Sequence, residues 1–111
     1  MGKEIDLRGT DLTGTILKEI DLSGGNLSNV TLSCADLSSA NLSRANLSSA
    51  AMSDANLSGA NLSNANLSSA DLLRTNLSGA DLSNTRYDSK TRWPEGFAPQ
   101  AAGVILIEDN D

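Results

Sequence analysis

Leucine recurs at every fifth position over most of this chain, and this period constrains the fold more than any other feature. The series runs from Leu7 to Leu82, with Met52 in the one place where leucine is missing. A small or β-branched residue usually stands two positions earlier, Asp or Asn lies between them, and serine usually follows. We number the repeat so that the small residue is place 1, the Asp or Asn place 2, the leucine place 3, the serine place 4 and a variable residue place 5.

The five-residue period excludes a helix and predicts a coil with four corners. Residues five apart spiral around an α-helix of 3.6 residues per turn, which exposes leucine on every side. In an extended segment places 1 and 3 share one face, whereas places 4 and 5 hold turn-forming residues. Four corners that turn the same way close a square, which at five residues per side takes 20 residues. Residues 5–84 therefore predict about four stacked β-helix coils with a filled leucine interior and no ligand tunnel.

The repeat resembles that of the pentapeptide-repeat family, in motifs such as Ala-Asn-Leu-Ser-Asn at 60–64 and Ala-Asp-Leu-Ser-Asn at 80–84. The resemblance covers about residues 5–88 and implies an all-β, right-handed quadrilateral parallel β-helix. The segment 87–97 is also similar to the one that follows the repeats in many cyanobacterial members. Because family members with known roles act mainly through binding, the resemblance implies a structural or protein-binding role.

We expect three segments: an N-terminal lead-in at 1–4, the β-helix at 5–85, and a C-terminal capping segment with an acidic tail at 86–111. A stacked coil leaves an apolar cross-section and an unpaired edge at each end. Trp93 and Phe97, the only Trp and Phe of the chain, follow the last coil. We interpret their rings as a cap over Leu67–Leu82, and an aromatic binding site is the alternative.

The N-terminal end has no comparable cover, since only Met1–Glu4 precede the repeats. Ile5, Ile20 and Val30 also make the first coils bulkier inside than the alanine-rich middle. We therefore expect either a homodimer through this end or continuation of the chain in a longer protein.

Charge and composition exclude several classes of function. The formal net charge is −6, from 14 acidic and 8 basic residues, which argues against direct binding of nucleic acid through phosphate contacts. The absence of histidine excludes Ser–His–Asp and Cys–His catalysis, and the single Cys34 cannot build a zinc site. No two carboxylates are placed as an acid–base pair across a cleft. We expect no enzymatic activity, no cofactor and no bound metal.

The location expected from the sequence is the cytoplasm. Cys34 has no second cysteine to pair with, which suits a reducing compartment. No apolar signal segment follows Met1, and the longest apolar run, at 104–107, is too short to cross a membrane.

Outward positions that depart from the repeat are the candidate contacts for a protein partner. Ile16 stands at place 2 and Leu73 at place 4, while Asp54 and Arg74 are one coil apart at place 5 and are expected to form an ion pair. The candidate contacts are therefore Leu73, Arg74, Asp54 and Ile16.

Two functions follow from this sequence. The first is a non-enzymatic structural or protein–protein interaction module with an unidentified protein partner. The alternative is a DNA-mimicking inhibitor of a topoisomerase such as gyrase, because an acidic rod of duplex width is physically suited to that role. Arg44 and Arg74 interrupt the acidic residues, which weighs against the alternative.

Overall fold

The computed structural model describes residues 5–107, so the predicted lead-in at 1–4 and acidic tail at 108–111 lie outside the described residues. Along the regular coils a residue lies beside the residue 20 positions further along. Parallel bridges join Asp6 to Asn26, Asn26 to Asn46 and Asn46 to Asn66, and the other walls repeat this spacing. The fold is the right-handed quadrilateral parallel β-helix with the predicted 20-residue coil. Beyond the fourth coil lie strand β1 (Arg86–Tyr87), a 3-10 helix (Pro99–Ala102) and strand β2 (Ile105–Leu106).

Backbone hydrogen bonds between coils hold the rod together. The place 3 N–H donates to the place 2 carbonyl of the next coil, as from Leu27 to Asn46 at 2.7 Å. The place 5 N–H donates to the place 4 carbonyl of the next coil, and the place 2 N–H donates back to a place 1 carbonyl of the previous coil. Each repeat is too short for a regular strand, so the ladder consists mostly of isolated bridges.

The core consists of the side chains at places 1 and 3. Leucines from Leu27 to Leu72 are fully buried, together with Met52, and the place 1 alanines between them are at most 1% exposed. Gly25 makes room for the larger Ile5 on the coil below, since a Cβ at residue 25 would lie 3.2 Å from the Ile5 Cβ. Thr75 and Thr85 take the alanine place while their hydroxyls donate to the carbonyls of Met52 and Leu62. A threonine therefore enters the narrow core without an unsatisfied hydroxyl.

The corners depend on a left-handed backbone conformation at place 5. All sixteen place 5 residues have a positive φ, between 58° and 71°. Each corner is closed by the next place 1 N–H, as where Ala45 donates to the Leu42 carbonyl at 3.1 Å. This conformation costs roughly 1–2 kcal/mol for most L-residues and least for Gly, Asn and Asp. The place 5 residues are Gly9, Gly14, Glu19, Gly24, Asn29, Cys34, Ser39, Arg44, Ser49, Asp54, Gly59, Asn64, Ser69, Arg74, Gly79 and Asn84.

Gly24 offers a direct test of the corner conformation, because nothing lies within 4 Å of a Cβ added there and its φ is 70°. We expect Gly24→Val to lower the free energy of unfolding by about 1–2 kcal/mol through backbone strain alone. Gly24→Asn adds a side chain of similar size that tolerates this conformation, so it should cost less than about 1 kcal/mol. Urea unfolding of both variants measures the difference, and equal losses would contradict the assignment.

The place 2 side chain stabilises the corner that follows it. Asp21 Oδ1 accepts hydrogen bonds from the Ser23 hydroxyl at 2.7 Å and from the Ser23 N–H at 3.1 Å. These two donors hold the pKa of Asp21 below its usual range, the hydroxyl more strongly. The equivalent groups of Ser38 lower the pKa of Asp36, mainly through the Ser38 N–H. Those of Ser83 lower the pKa of Asp81, mainly through the Ser83 hydroxyl. Asn26, Asn41, Asn46, Asn56, Asn61, Asn66 and Asn76 make the equivalent backbone contact without a charge.

These lowered pKa values predict a loss of stability in acid. Their contribution is complete above the ordinary Asp pKa of about 3.9 and is lost as the pH falls from there through the lower pKa of the folded state. The variant Asp21→Asn/Asp36→Asn/Asp81→Asn keeps three acceptors that do not titrate. We expect thermal melting from pH 7 to pH 2 to show a smaller decrease in Tm for this variant than for the wild type. Identical pH profiles would show that these carboxylates do not contribute.

The ladder continues beyond residue 85, where we expected the capping segment to begin. Arg86 lies beside Asn66, but Arg92 lies beside Asp71, which is one residue more than the usual 20. Asp88 accommodates the extra residue. Its Oδ1 accepts from the Ser69 N–H at 2.8 Å, where the regular pattern uses a backbone carbonyl, and its carboxylate also accepts from the Lys90 N–H and the Thr91 hydroxyl.

This register places Tyr87 and Trp93 in the core columns above Leu67 and Leu72. Tyr87 is buried, and Trp93 and Phe97 are partly buried against the core. The Trp93 ring meets Tyr87 edge-on, with centroids 5.4 Å apart, and stacks on Phe97 at 4.8 Å. We propose that Trp93 and Phe97 cap this end of the rod, as the sequence suggested.

The cap proposal predicts a stability effect at Trp93. Trp93→Ala removes a large partly buried ring and should cost about 2–4 kcal/mol. Trp93→Leu restores the usual place 3 residue and removes a buried indole N–H that has no partner within residues 5–107, so it should cost less than half as much. Urea unfolding measures both. If Trp93→Ala leaves stability unchanged, the rings do not act as a cap.

Candidate interaction surfaces

The side walls of the rod are built mainly from Asn and Ser, and the side-chain oxygen at place 2 usually accepts a hydrogen bond from the place 4 N–H. Asn41 illustrates this, because its Oδ1 accepts from both the N–H and the hydroxyl of Ser43 at 3.1 and 2.7 Å. Such a wall repeats the same polar groups from coil to coil and offers a partner few apolar atoms. Positions that depart from the pattern are therefore the candidates for recognition.

Asp54 and Arg74 form the ion pair predicted from the sequence. Arg74 Nε and Nη2 donate to the two Asp54 oxygens at 2.9 and 3.0 Å, and both residues occupy corners of adjacent coils. These guanidinium hydrogen bonds lower the pKa of Asp54. Both side chains are exposed, so the pair adds little to stability and remains accessible to a partner.

Leu73 and Ile16 differ in exposure and location. We expected Leu73 to be exposed, but it is partly buried, because place 4 side chains lie along the wall in most repeats. Ile16 is 81% exposed and belongs to the first coil, on a different wall. The structure therefore brings together Asp54, Leu73 and Arg74, whereas Ile16 lies apart from them.

A neighbouring feature escaped the sequence interpretation. Thr31 and Ala51 replace the usual Asp or Asn on adjacent coils of the wall that carries Leu73. Within residues 5–107, the N–H groups of Ser33 and Ser53 consequently have no acceptor, and their hydroxyls lie 3.4 Å apart. The signal was present in the sequence as two consecutive place 2 departures along one column. We call Ser33, Ser53, Asp54, Leu73 and Arg74 the contact patch.

Open depressions occur at both ends of the described rod. One, of about 480 Å³, is lined by Asp6, Arg8, Gly9, Ser28 and Asn29. Its one carboxylate already accepts from the Arg8 guanidinium at 2.8 and 2.7 Å, which lowers the Asp6 pKa. A second, of about 300 Å³, lies between the fourth coil and the turn at 94–97. Neither brings together an acid and a base for catalysis.

Within residues 5–107 there is neither a cluster of metal-ligating side chains nor a helix that could span a membrane. No three His, Cys, Asp or Glu side chains come together in a way that suits a metal ion in this range. None of its helices has the length and hydrophobicity needed to cross a membrane.

Comparison with known proteins identifies relatives of the same architecture. A pentapeptide repeat protein of Nostoc PCC 7120, alr5209, is 39% identical over 94% of this chain and 86% of its own, with a TM-score of 0.90. Rfr23 of Cyanothece 51142, also a pentapeptide repeat protein, is 40% identical over 84% of this chain and 67% of its own, with a TM-score of 0.56. The plasmid-mediated fluoroquinolone resistance protein QnrB1 covers 96% of this chain and 91% of its own at 16% identity, and its TM-score of 0.36 supports no functional argument.

No curated protein matches the chain. The family model for pentapeptide repeats matches in eight copies, over residues 5–44, 26–59 and 45–84. Together these matches span the whole regular part of the coil. The chain belongs to the pentapeptide-repeat family.

Proposed function

We propose that this protein is a non-enzymatic protein–protein interaction module that presents the contact patch to a protein partner. The observation that carries the proposal is the break in the hydrogen-bonding pattern at Ser33 and Ser53, beside the Asp54–Arg74 pair. Elsewhere the place 4 N–H usually donates to the side chain at place 2. At the patch the N–H groups of Ser33 and Ser53 have no acceptor in residues 5–107.

The composition of the patch indicates the chemistry of its partner. The Ser33 and Ser53 hydroxyls hydrogen-bond to each other, which leaves one hydroxyl proton and two N–H groups to donate. These donors favour carbonyl, carboxamide or carboxylate oxygens. Leu73 adds partly exposed apolar surface, and Arg74 adds a cation held by a bidentate contact to Asp54. Interfaces combine apolar, arginine and hydrogen-bonding groups in this way. A peptide segment with acidic or amide side chains fits these groups best.

A paired set of variants tests the patch. Leu73→Ser/Arg74→Ser restores residues that the repeat uses at places 4 and 5, so the fold should remain intact. Arg44→Ser removes an exposed arginine from another corner and serves as the matched control. The wild type, Arg44→Ser and the double variant are each used to capture proteins from a lysate of the source organism, and the captured proteins are quantified by mass spectrometry. We expect the double variant to capture at least about tenfold less of the proteins that the wild type and Arg44→Ser both capture. An unchanged capture profile would overturn the proposal.

The DNA-mimicking alternative gains no support from a specific observation. Arg44 and Arg74 lie at exposed corners among the acidic residues, and the similarity to QnrB1 is too distant to argue from. We therefore retain the interaction module as the proposed function.

We also propose that the N-terminal end associates with another copy of the chain. Leu7, Leu12 and Leu17 are only partly buried there, whereas the leucines of the next coils are fully buried. Burial of this apolar cross-section would favour self-association.

A reducing compartment such as the cytoplasm remains our proposed location. Cys34 is free and exposed at a corner, and an exposed thiol persists best where disulfide formation is disfavoured. Cell fractionation tests this location, and recovery of the protein in an oxidising compartment would contradict it.

A further inference from the structure

The ladder of this rod has a direction, and its two ends therefore offer different backbone groups. In every five-residue repeat the groups that face the N-terminal end are one N–H, at place 2, and two carbonyls, at places 2 and 4. The groups that face the C-terminal end are two N–H groups, at places 3 and 5, and one carbonyl, at place 1. The N-terminal end is thus rich in acceptors and the C-terminal end rich in donors.

The first coil presents its acceptor-rich edge without partners among the described residues. The unpaired donors are the N–H groups of Asp6, Asp11, Ile16 and Asp21. The unpaired acceptors are the carbonyls of those four residues and of Arg8, Thr13, Lys18 and Ser23. Two N-terminal ends that faced each other would leave at least half of these carbonyls without a donor, which is unfavourable for buried groups.

Strand β2 presents the complementary edge at the other end of the rod. The N–H groups of Ile105 and Ile107 donate to Thr85 and Tyr87 on the coil below, at 2.7 Å each. Because N–H directions alternate along an extended strand, the Leu106 N–H points away from that coil. Leu106 corresponds to place 3 of the repeat and Val104 to place 1, as the pairing of β2 with β1 shows.

The side chains of β2 also leave an apolar surface open. Ile105, Leu106 and Ile107 are 47%, 54% and 36% exposed, and together with Ile16 they are the exposed large hydrophobic residues of the described chain. Leu106 follows Tyr87 in the core column that begins at Leu7. The same column is therefore open at both ends, at Leu106 and at the partly buried Leu7.

We propose that copies of this chain associate head to tail, with β2 of one copy against the first coil of the next. This inference rests on the proposed self-association of the N-terminal end and names the surface that covers it. The Leu106 N–H donates to the Asp6 carbonyl of the next copy, and the Asp6 N–H of that copy donates to the Val104 carbonyl. This repeats the bonds that Leu7 and Asn26 make within the rod, to the carbonyls of Asn26 and Ile5 at 2.9 and 2.8 Å.

Such a contact joins two different surfaces, so a dimer still has a free first coil at one end and a free β2 at the other. Further copies can therefore add to either end. It covers one wall of the first coil, and small interfaces give weak association. Sedimentation velocity of the wild type should therefore show a sedimentation coefficient that rises with concentration through dimer and trimer.

Two blocked variants distinguish head-to-tail association from a head-to-head dimer. Leu106→Lys places a charge on the exposed β2 surface, and Ile5→Lys does so at the first coil. Each should be monomeric alone, while an equimolar mixture should form a 1:1 dimer, because each variant keeps one intact end. Ile16→Lys removes an equally apolar side chain from a side wall and should assemble like the wild type.

Circular dichroism first checks that each variant is folded. If Ile5→Lys is not folded, Asp6→Pro replaces it. Proline at residue 6 removes only an N–H that has no partner in residues 5–107, and this N–H is one that the proposed contact uses. Restoration of the dimer on mixing supports head-to-tail association. If Leu106→Lys still dimerises alone, head-to-tail association is wrong while association through the N-terminal end stands. A wild type that stays monomeric at millimolar concentration overturns both.

Discussion

The register of 20 residues between hydrogen-bonded coils is the constraint on which the rest of this structure depends. Inward and outward positions alternate along each wall, so a shift of one residue would turn leucines outward and Asn or Asp inward. The spacing departs from 20 residues at β2, whose residues pair 19 positions after those of β1, and between Tyr87 and Arg92, where one residue is added. There the Asp88 carboxylate takes the place of a backbone carbonyl toward Ser69. At this insertion a side chain supplies the acceptor that the backbone carbonyl provides in the regular coils.

The periodic part of the fold could be predicted from the sequence because each position has one role that its residue type reveals. Leucine and alanine mark the inside, and residues that tolerate a positive φ mark the corners. The capping region was harder, since the insertion displaces Trp93 from the five-residue period and hides its place in the Leu72 column. The partial burial of Leu73 was also missed, because place 4 looks like a solvent-exposed corner in sequence. It depends on how the side chain lies against the wall, which the period does not encode.

The candidate contact patch was predicted only in part, for a related reason. Asp54 and Arg74 were visible as opposite charges one coil apart, and their pairing followed directly. The open donors at Ser33 and Ser53 became visible only when the role of place 2 was known. At place 2, Asp and Asn accept a hydrogen bond from the place 4 N–H. Replacing them by Thr31 and Ala51 therefore removes the acceptor that the place 4 N–H normally uses. Function in such a rod is best sought where a structural partner is missing.

The two ends of the rod illustrate the same principle at a larger scale. A parallel coil cannot have equivalent ends, because its carbonyls outnumber its N–H groups on one edge and are outnumbered on the other. At the C-terminal end Tyr87 and Trp93 follow Leu67 and Leu72 in the apolar columns, but their rings supply no acceptors for a donor-rich edge. The N–H groups of Leu77 and Gly79 accordingly have no backbone partner within residues 5–107. Covering the apolar columns and pairing the edge N–H groups are therefore separate requirements. Strand β2 leaves its edge N–H group unpaired within residues 5–107, beside an exposed apolar surface.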